Sequence, residues 1–524
     1  MRRDTHTLSS QRAPPAASRR HTGAWISTAL ASFQVAFDFV NSGEFMRWYA
    51  DVGDADRRRA LAAAGVLDSA GAGPGTGLAH CAPVAGSELS RARSSGAPTR
   101  DIGPRGLVVF YVTSVVGAGI LVVPGIAARR AGPASLIAWL VLALASVPMA
   151  LMFAEMSARR PDCGGIAALL RDVLGAGVGQ TASLLLVVAY ALVVPVMAIA
   201  SARHLCDMLA INAVLVKPLA GAFLLLSAMF CIASIATAAR LQGIVLILLL
   251  ACLLVAVALA TPSMSARRLS PFASHGWRAV AAILPAVFWS FLGWENVSTI
   301  AEEVRDPRRS FHRAIRIAVP LIGLLYLAVT AAYLALPHGR GELLMPTLLA
   351  GGIGARGRVL GDLFGLAVIV PTTNAWMLGA SRLVVSAARE GLLPPSIQRR
   401  STRTDAPVSA LVALVVVCAL VVSLLAVFDL DETAAISLSA TIFLALYIAA
   451  AIATLRDHPT PIMAISATTT ALIAASFLLL TGAALVLAAL LTLATYAGLR
   501  VARANKLIPP AGDWVTTRKP WRGE

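Results

Sequence analysis

The residues able to do chemistry in this chain lie in apolar surroundings. In "VVGAGILVVPG" (115–125), Gly117, Ala118 and Gly119 interrupt a stretch otherwise as oily as a membrane-crossing helix. In "FWSFLGWENVSTIAEEVRDP" (288–307), Gly293 falls between aromatic residues, with Trp289 and Phe291 before it and Glu295 and Asn296 after it. Glycine inside a helix costs roughly 1 kcal/mol relative to alanine. A helix broken inside hydrocarbon also exposes backbone N–H and C=O groups, each costly unless protein or ligand satisfies it. Such glycines either let a neighbouring helix approach closely or mark unwound turns. In an unwound turn, N–H groups at a helix start attract a carboxylate and freed carbonyls hold an ammonium, so the chemistry on offer is non-covalent binding of a zwitterion.

Glu295 is the one clearly deep carboxylate. A charge at membrane depth costs about 2.5–3.5 kcal/mol on insertion scales, which makes Glu295 a candidate proton carrier or conformational latch; a structural hydrogen bond to a neighbouring helix is the alternative. "PTTNAWMLGAS" (371–381) supplies Thr372, Thr373 and Asn374 at membrane depth, to line a pathway, hold an ion, or bond back to their own helix. The six cysteines include no CxxC pair and the eight histidines no HxxxH or HExxH. With no nucleophile–base set or metal-ligand set visible, no enzyme, no cofactor and no metal is expected.

The elements that must position these residues are membrane helices. A chain of 524 residues that is 58% apolar and 14% charged, with mean hydropathy +0.76, is too hydrophobic for a soluble domain. Crossing the bilayer takes roughly 20 apolar residues. Twelve such runs are expected, at 106–128, 132–156, 178–200, 218–238, 241–262, 278–302, 316–337, 359–388, 407–428, 433–455, 460–481 and 482–502. The net charge of +17 is read as arginine placed in cytoplasmic loops, not as a nucleic-acid surface. The loops that share a side with the N-terminus carry the larger Lys/Arg share, so both termini are expected in the cytoplasm and the chain in the cytoplasmic (inner) membrane. Residues 1–104, with "APPAASRR" and "SRARSSGAPTR", have the composition of a disordered extension. Residues 504–524 are read as a cytoplasmic tail.

The two glycine breaks stand five spans apart. That spacing is what an inverted repeat produces: two five-helix halves, each opening with a discontinuous helix, meeting near the bilayer midplane. The transport core would then be 105–455 (spans 1–10), with spans 11–12 at 456–503.

At four places in order, the residues resemble the amino acid–polyamine–organocation (APC) transporter superfamily. These are "VVGAGILVVPGIAARRAGP" in span 1, "FAEMSARRPDCGG" after span 2, "FWSFLGWENVSTIAEEVRDPRRSFHRAI" in and after span 6, and "SRLVVSAAREGLLP" (381–394). Span 6 is most similar to bacterial exporters of methionine and branched-chain amino acids and to the arginine–agmatine antiporter. The resemblance implies an all-α membrane protein of the leucine-transporter type, with 12 transmembrane helices, a 5+5 inverted repeat and discontinuous helices 1 and 6. It further implies that Gly117, Ala118 and Gly119 offer carboxylate-binding backbone, that Trp289 and Phe291 wall or gate the pocket, and that Gly293 marks the unwound turn; Trp294 is an alternative inward-facing ring. Span 5 lacks the lysine some proton-coupled relatives carry, so their coupling mechanism does not transfer.

The implied function is secondary active transport of an amino acid by alternating access, in a monomer or homodimer, with proton coupling as an option. A cationic substrate would call for several deep acids, but besides Glu295 only Asp207 and Asp362 occur, near span ends; an acidic one would call for a midplane Lys or Arg. A neutral aliphatic amino acid remains, moved as an exporter or antiporter. The alternatives are an importer or amine/polyamine antiporter of the same family, or a membrane sensor that binds an amino acid without moving it.

Overall fold

The structure is a computed structural model that describes residues 102–159, 165–233, 235–337, 343–401 and 406–504. The expected extension (all but 102–104), most of the tail, and the "PDCG" part of the second motif lie outside the described residues. Among the described residues the fold is all helix, with a single isolated bridge between Ile102 and Val304.

Span 1 is broken. α1 (Pro104–Val115) stops, and α2 (Gly119–Ala131) starts after a short turn. α3 (Ser135–Arg159), a short α4 (Gly165–Leu174), α5 (Ala176–Met208), α6 (Val216–Ala233) and α7 (Ile235–Ala260) follow. Span 6 is broken too: α8 (Trp277–Ser290) gives way after Gly293 to a tighter 3-10 segment, Trp294–Glu303. Then come α9 (Pro307–Leu334), α10 (Leu344–Arg389), α11 (Val408–Val427), α12 (Glu432–Arg456), α13 (Pro461–Leu479) and α14 (Ala483–Ala504). α10 contains a kink at Ile353 and Gly354, which separates a first segment from the expected span 8.

Ten stretches among the described residues are long and apolar enough to cross a membrane. Twelve were expected, and the difference has two sources. The second half of span 1 runs through a 3-10 turn into α3 and counts with it, while span 5 forms one 26-residue helix, α7, whose fully described part begins at Leu248. Helix starts follow local chemistry. Pro104, Pro307 and Pro461 occupy first turns, where a missing N–H costs nothing. Asp431 caps α12 by accepting from the Thr433 amide at 3.1 Å, and the Thr460 hydroxyl accepts from the Met463 amide at 3.3 Å.

α5 is the central column, packed against α10, α12 and α6. α9 lies on α3 and α1, and α8 on α2, α3 and α12. Large apolar side chains such as Val416 on α11, Leu479 on α13 and Leu490 on α14 face outward, as lipid-exposed positions do. α5 is about 50 Å long at 1.5 Å per residue, so ion pairs near its ends mark opposite ends of the bundle. Where α2 and α5 finish and α12 begins, Arg130 meets Asp431 at 3.1 Å and Arg203 meets Glu432 at 2.6 Å. At the other end Arg171 of α4 meets Glu390 at 2.6 Å, and His312 of α9 meets Glu155 of α3 at 2.8 Å.

Asp431 has two jobs, cap and ion pair, and they separate experimentally. The pair with Arg130 is about half exposed on both sides, where such pairs contribute about 0–1 kcal/mol, whereas losing an N-cap costs about 1 kcal/mol. Asp431→Ala is expected to lower the thermal unfolding midpoint in detergent, Asp431→Asn to stay near the parent, and added salt to leave the difference in place.

Candidate functional site

The two breaks lie side by side, and hydrogen bonds between them hold the turns. α1 ends with Val116 at φ −84°, ψ 88°, and α2 begins from Ala118. The amide of Gly117 bonds to the Val115 carbonyl (3.1 Å), that of Ile120 to Gly117 (3.3 Å) and that of Leu121 to Ala118 (3.0 Å). Among the described residues, the amides of Ala118 and Gly119 donate to no backbone carbonyl. They are the first N–H groups of α2, at its positive dipole end.

In span 6, Gly293 adopts φ +128°, a conformation that side chains disfavour. A Cβ there would also lie 2.5 Å from the Ser114 carbonyl oxygen on α1, so the turn requires glycine on both counts. Ser114 donates its hydroxyl to the Gly293 carbonyl (2.9 Å) and accepts from the Asn296 amide group (2.9 Å), which ties the last turn of α1 to the second break. The Glu295 carboxylate bends back over the break. Its Oε2 accepts from the Gly293 N–H at 2.9 Å and from the Tyr447 hydroxyl of α12 at 2.5 Å. Tyr326 of α9 bridges both breaks, its hydroxyl donating to the Ser290 carbonyl at 2.8 Å with the Val115 carbonyl as a second acceptor at 3.2 Å.

The remaining expected site residues fall into two groups. Gly119 is the point of closest approach between the helices, since a Cβ would stand 3.0 Å from Ser290 Cα; at Gly117 it would meet only the Thr372 methyl at 3.8 Å. The structure thus brings Gly117, Ala118, Gly119, Gly293, Glu295 and Thr372 to the breaks. Trp289 is buried on the last turn of α8, and its Nε1 has no hydrogen-bond partner. Phe291 packs into a cluster of rings, 4.9 Å from Tyr326 and 6.1 Å from Trp139, and so backs the turn. Trp294, the alternative, is fully buried 5.6 Å from the Tyr111 ring. The hydroxyls of Thr372 and Thr373 bond back to Val368 and Ile369, each at 2.8 Å. Asn374 accepts a Cys231 thiol on its main-chain carbonyl, which sets that part of α10 against α6; its side-chain oxygen is buried without a partner. Neither Thr373 nor Asn374 bonds to a break.

Sequence reasoning missed Tyr326 and Tyr447. The available signal was a phenol in the middle of an apolar span, since a buried Tyr hydroxyl normally finds a partner. It could be read off the chain, but which carbonyl or carboxylate it would meet could not.

Many apolar helices around two adjacent broken ones define a multi-pass α-helical membrane protein with unwound backbone in its interior. The sequence profile of the amino acid permease family matches residues 102–499, three-quarters of the chain, and the chain belongs to that family. Among its relatives, the uncharacterized amino acid permease YecA of Bacillus subtilis is 26% identical over 349 residues, covering 66% of this chain and 82% of the relative. The probable GABA permease of Pseudomonas aeruginosa is 27% identical over 321 residues (57% and 66%), and the L-methionine/branched-chain amino acid exporter YjeH of Escherichia coli 27% over 355 residues (64% and 81%).

The unequal room at the glycines is testable. Gly293→Ala forces a side chain into strained backbone, a cost on the order of 1–3 kcal/mol, and into the Ser114 carbonyl. It is expected to lower the thermal unfolding midpoint of the purified protein and to abolish amino acid binding. Gly117→Ala is expected to leave the midpoint close to the parent's, which the same unfolding measurement checks.

Proposed function

We propose that the chain is a secondary active transporter that moves neutral aliphatic amino acids across the cytoplasmic membrane by alternating access, as an exporter or antiporter. The observation that carries this is the pair of adjacent breaks, in which the freed carbonyls of Val115, Ser290 and Gly293 are engaged by side chains while the amides of Ala118 and Gly119 are not taken by backbone carbonyls. A substrate carboxylate fits those amides at the start of α2. Glu295 is tied through Oε2 to Gly293 and Tyr447, which supports a role in closing the break over one in pairing with a cationic side chain. A relative named for methionine and branched-chain amino acids supports the aliphatic class and the export direction.

Support for a 5+5 inverted repeat comes from the packing. Exchanging each of the first five spans with the one five later turns α9 on α1 into α3 on α8, and α7 on α10 into α12 on α5. The same exchange turns α6 on α5 into α11 on α10, and α11 on α5 into α6 on α10; all of these contacts are present. Some pairs depart from the rule: α12 packs on α8 and α10 on α2, while α7 on α1 and α5 on α8 have no equally extensive contact. Two halves of like design but unlike packing are what an alternating-access device needs in any one state, since exchanging the two arrangements moves the opening to the opposite side. In this scheme the core is 105–455, α13 and α14 are spans 11–12, and 1–104 and 504–524 lie in the cytoplasm.

Trp289, Thr372 and Asn374 are the candidate pathway side chains, and Glu295 the coupling group. A carboxylate that closes the second break changes its hydration when the gates swap, and with hydration its hold on a proton. Purified protein in liposomes, preloaded with each neutral amino acid in turn, is expected to show counterflow for methionine, leucine, isoleucine or valine and none for lysine or glutamate; the reverse selectivity overturns the substrate class. Glu295→Gln keeps the shape and a hydrogen bond but cannot titrate. It is expected to retain exchange of labelled for unlabelled amino acid and to lose acceleration by an imposed pH gradient. A proportional fall in both at every pH assigns Glu295 to a latch instead.

A further inference from the structure

A second buried acid lies outside the site described above. His204, near the end of α5, and Asp362, on α10 beyond its kink, face each other with Nδ1 and Oδ1 2.9 Å apart, their side chains 1% and 0% exposed. The other carboxylate oxygen, Asp362 Oδ2, is buried and meets no donor among the described residues, and the nearby Asp207 carboxylate adds like charge. The fit around the pair depends on missing side chains. A Cβ on Gly365, nearly one turn after Asp362, would stand 2.4 Å from the His204 ring, and one on Gly361 would stand 2.5 Å from the Pro346 backbone. The first segment of α10 therefore packs on the turn that carries Asp362, and its start, Leu343 and Leu344, lines a cleft with Arg203 and Glu432 at the same end of the bundle.

The surrounding charges are already engaged. On α5, Arg203 pairs with Glu432 of α12, and Asp207 faces Arg358 of α10 at 3.9 Å in a half-exposed position. Lys217 on α6 donates to the Leu425 carbonyl of α11 at 2.9 Å. The titratable groups whose charge reaches Asp362 are His204 and Asp207. With His204 neutral and Asp362 ionised, the pair would be a net negative charge inside a dry interface, one oxygen of it without a donor. That state is costly. One added proton, on either partner, makes the pair neutral overall.

We propose that His204 and Asp362 form a proton-binding site, distinct from Glu295, that responds to pH on the side of the membrane where α2 and α5 finish. The site holds its proton while the start of α10 covers it. It releases that proton when the cover lifts and water reaches Oδ2, so occupancy and the closed state of that end favour each other. Acid on that side then holds the end closed, and alkali loosens it.

The effect on rate rests on the transport function proposed above, so the test has two arms. In oriented vesicles carrying the full-length protein, amino acid exchange is measured while pH is varied from about 5 to 8 on one side at a time. The parent is expected to change severalfold with pH on the α2-terminal side. Asp362→Asn, which keeps the contact with His204 but not the charge, is expected to lose most of that one-sided response. An Asp362→Asn profile like the parent's, or a parent profile flat on that side, overturns the proposal. The second arm needs neither transport nor a folded variant: infrared difference spectra of the parent protein with isotope-labelled aspartate, between acid and alkaline buffer, are expected to show a buried aspartic acid gaining and losing its proton. No such band overturns the proton site. A band without amino acid exchange leaves the proton site standing and refutes the transport function instead.

Discussion

Everything in this bundle depends on one constraint: a peptide group freed from a helix inside hydrocarbon must find a partner. Two helices break beside each other, and the surrounding fold is arranged to meet that demand on the carbonyl side. Tyr326 serves two carbonyls from one hydroxyl, and Ser114 ties a third to the last turn of the helix opposite. Glu295 takes the Gly293 amide and is itself steadied by Tyr447. At the first break, what is left without a backbone partner is a pair of amides at the start of α2. The protein satisfies the half of the problem that would otherwise unravel the turns, and the half it leaves open is the one proposed above to take a substrate carboxylate.

The rings explain why the turns hold their shape. Phe291, Tyr326 and Trp139 form a contiguous cluster behind the second break, and Phe153, Phe288 and Tyr447 form another around Glu295. Aromatic side chains have few rotatable bonds, so a packed cluster fixes backbone at little entropic cost. The ion pairs at the two ends do different work. Arg130–Asp431 is about half exposed and contributes little to stability, while the other three are partly buried and join separate helices at either end.

Recognition through backbone also fits the company the chain keeps. The carboxylate and ammonium of an amino acid are the same whatever its side chain, so a site built from peptide groups serves them all, and the lining side chains select among them. Relatives named for GABA and for methionine and branched-chain amino acids are each 27% identical to this chain over the aligned residues. Divergence of that depth is tolerated by lipid-facing and packing positions, which ask only for apolar character and suitable size.

The sequence alone determined the membrane environment, the positions of the two breaks and the deep carboxylate, because each is a local property: run length, a glycine in an apolar run, a charge where charge is expensive. It also carried the family, through four motifs spread over residues 115–394. The roles of individual residues were decided by tertiary structure. Gly117 and Gly119 look alike in the chain, but only Gly119 meets the backbone of another helix. Phe291 read as a pocket wall and packs behind the turn; Thr372 and Thr373 left three roles open, and their hydroxyls bond to their own helix. Tyr447 lies 152 residues from Glu295, and His204 lies 158 from Asp362. No periodicity links such pairs, because a hydrogen bond between helices depends on how each is rotated and where it crosses the other, and those are set by packing over the whole bundle.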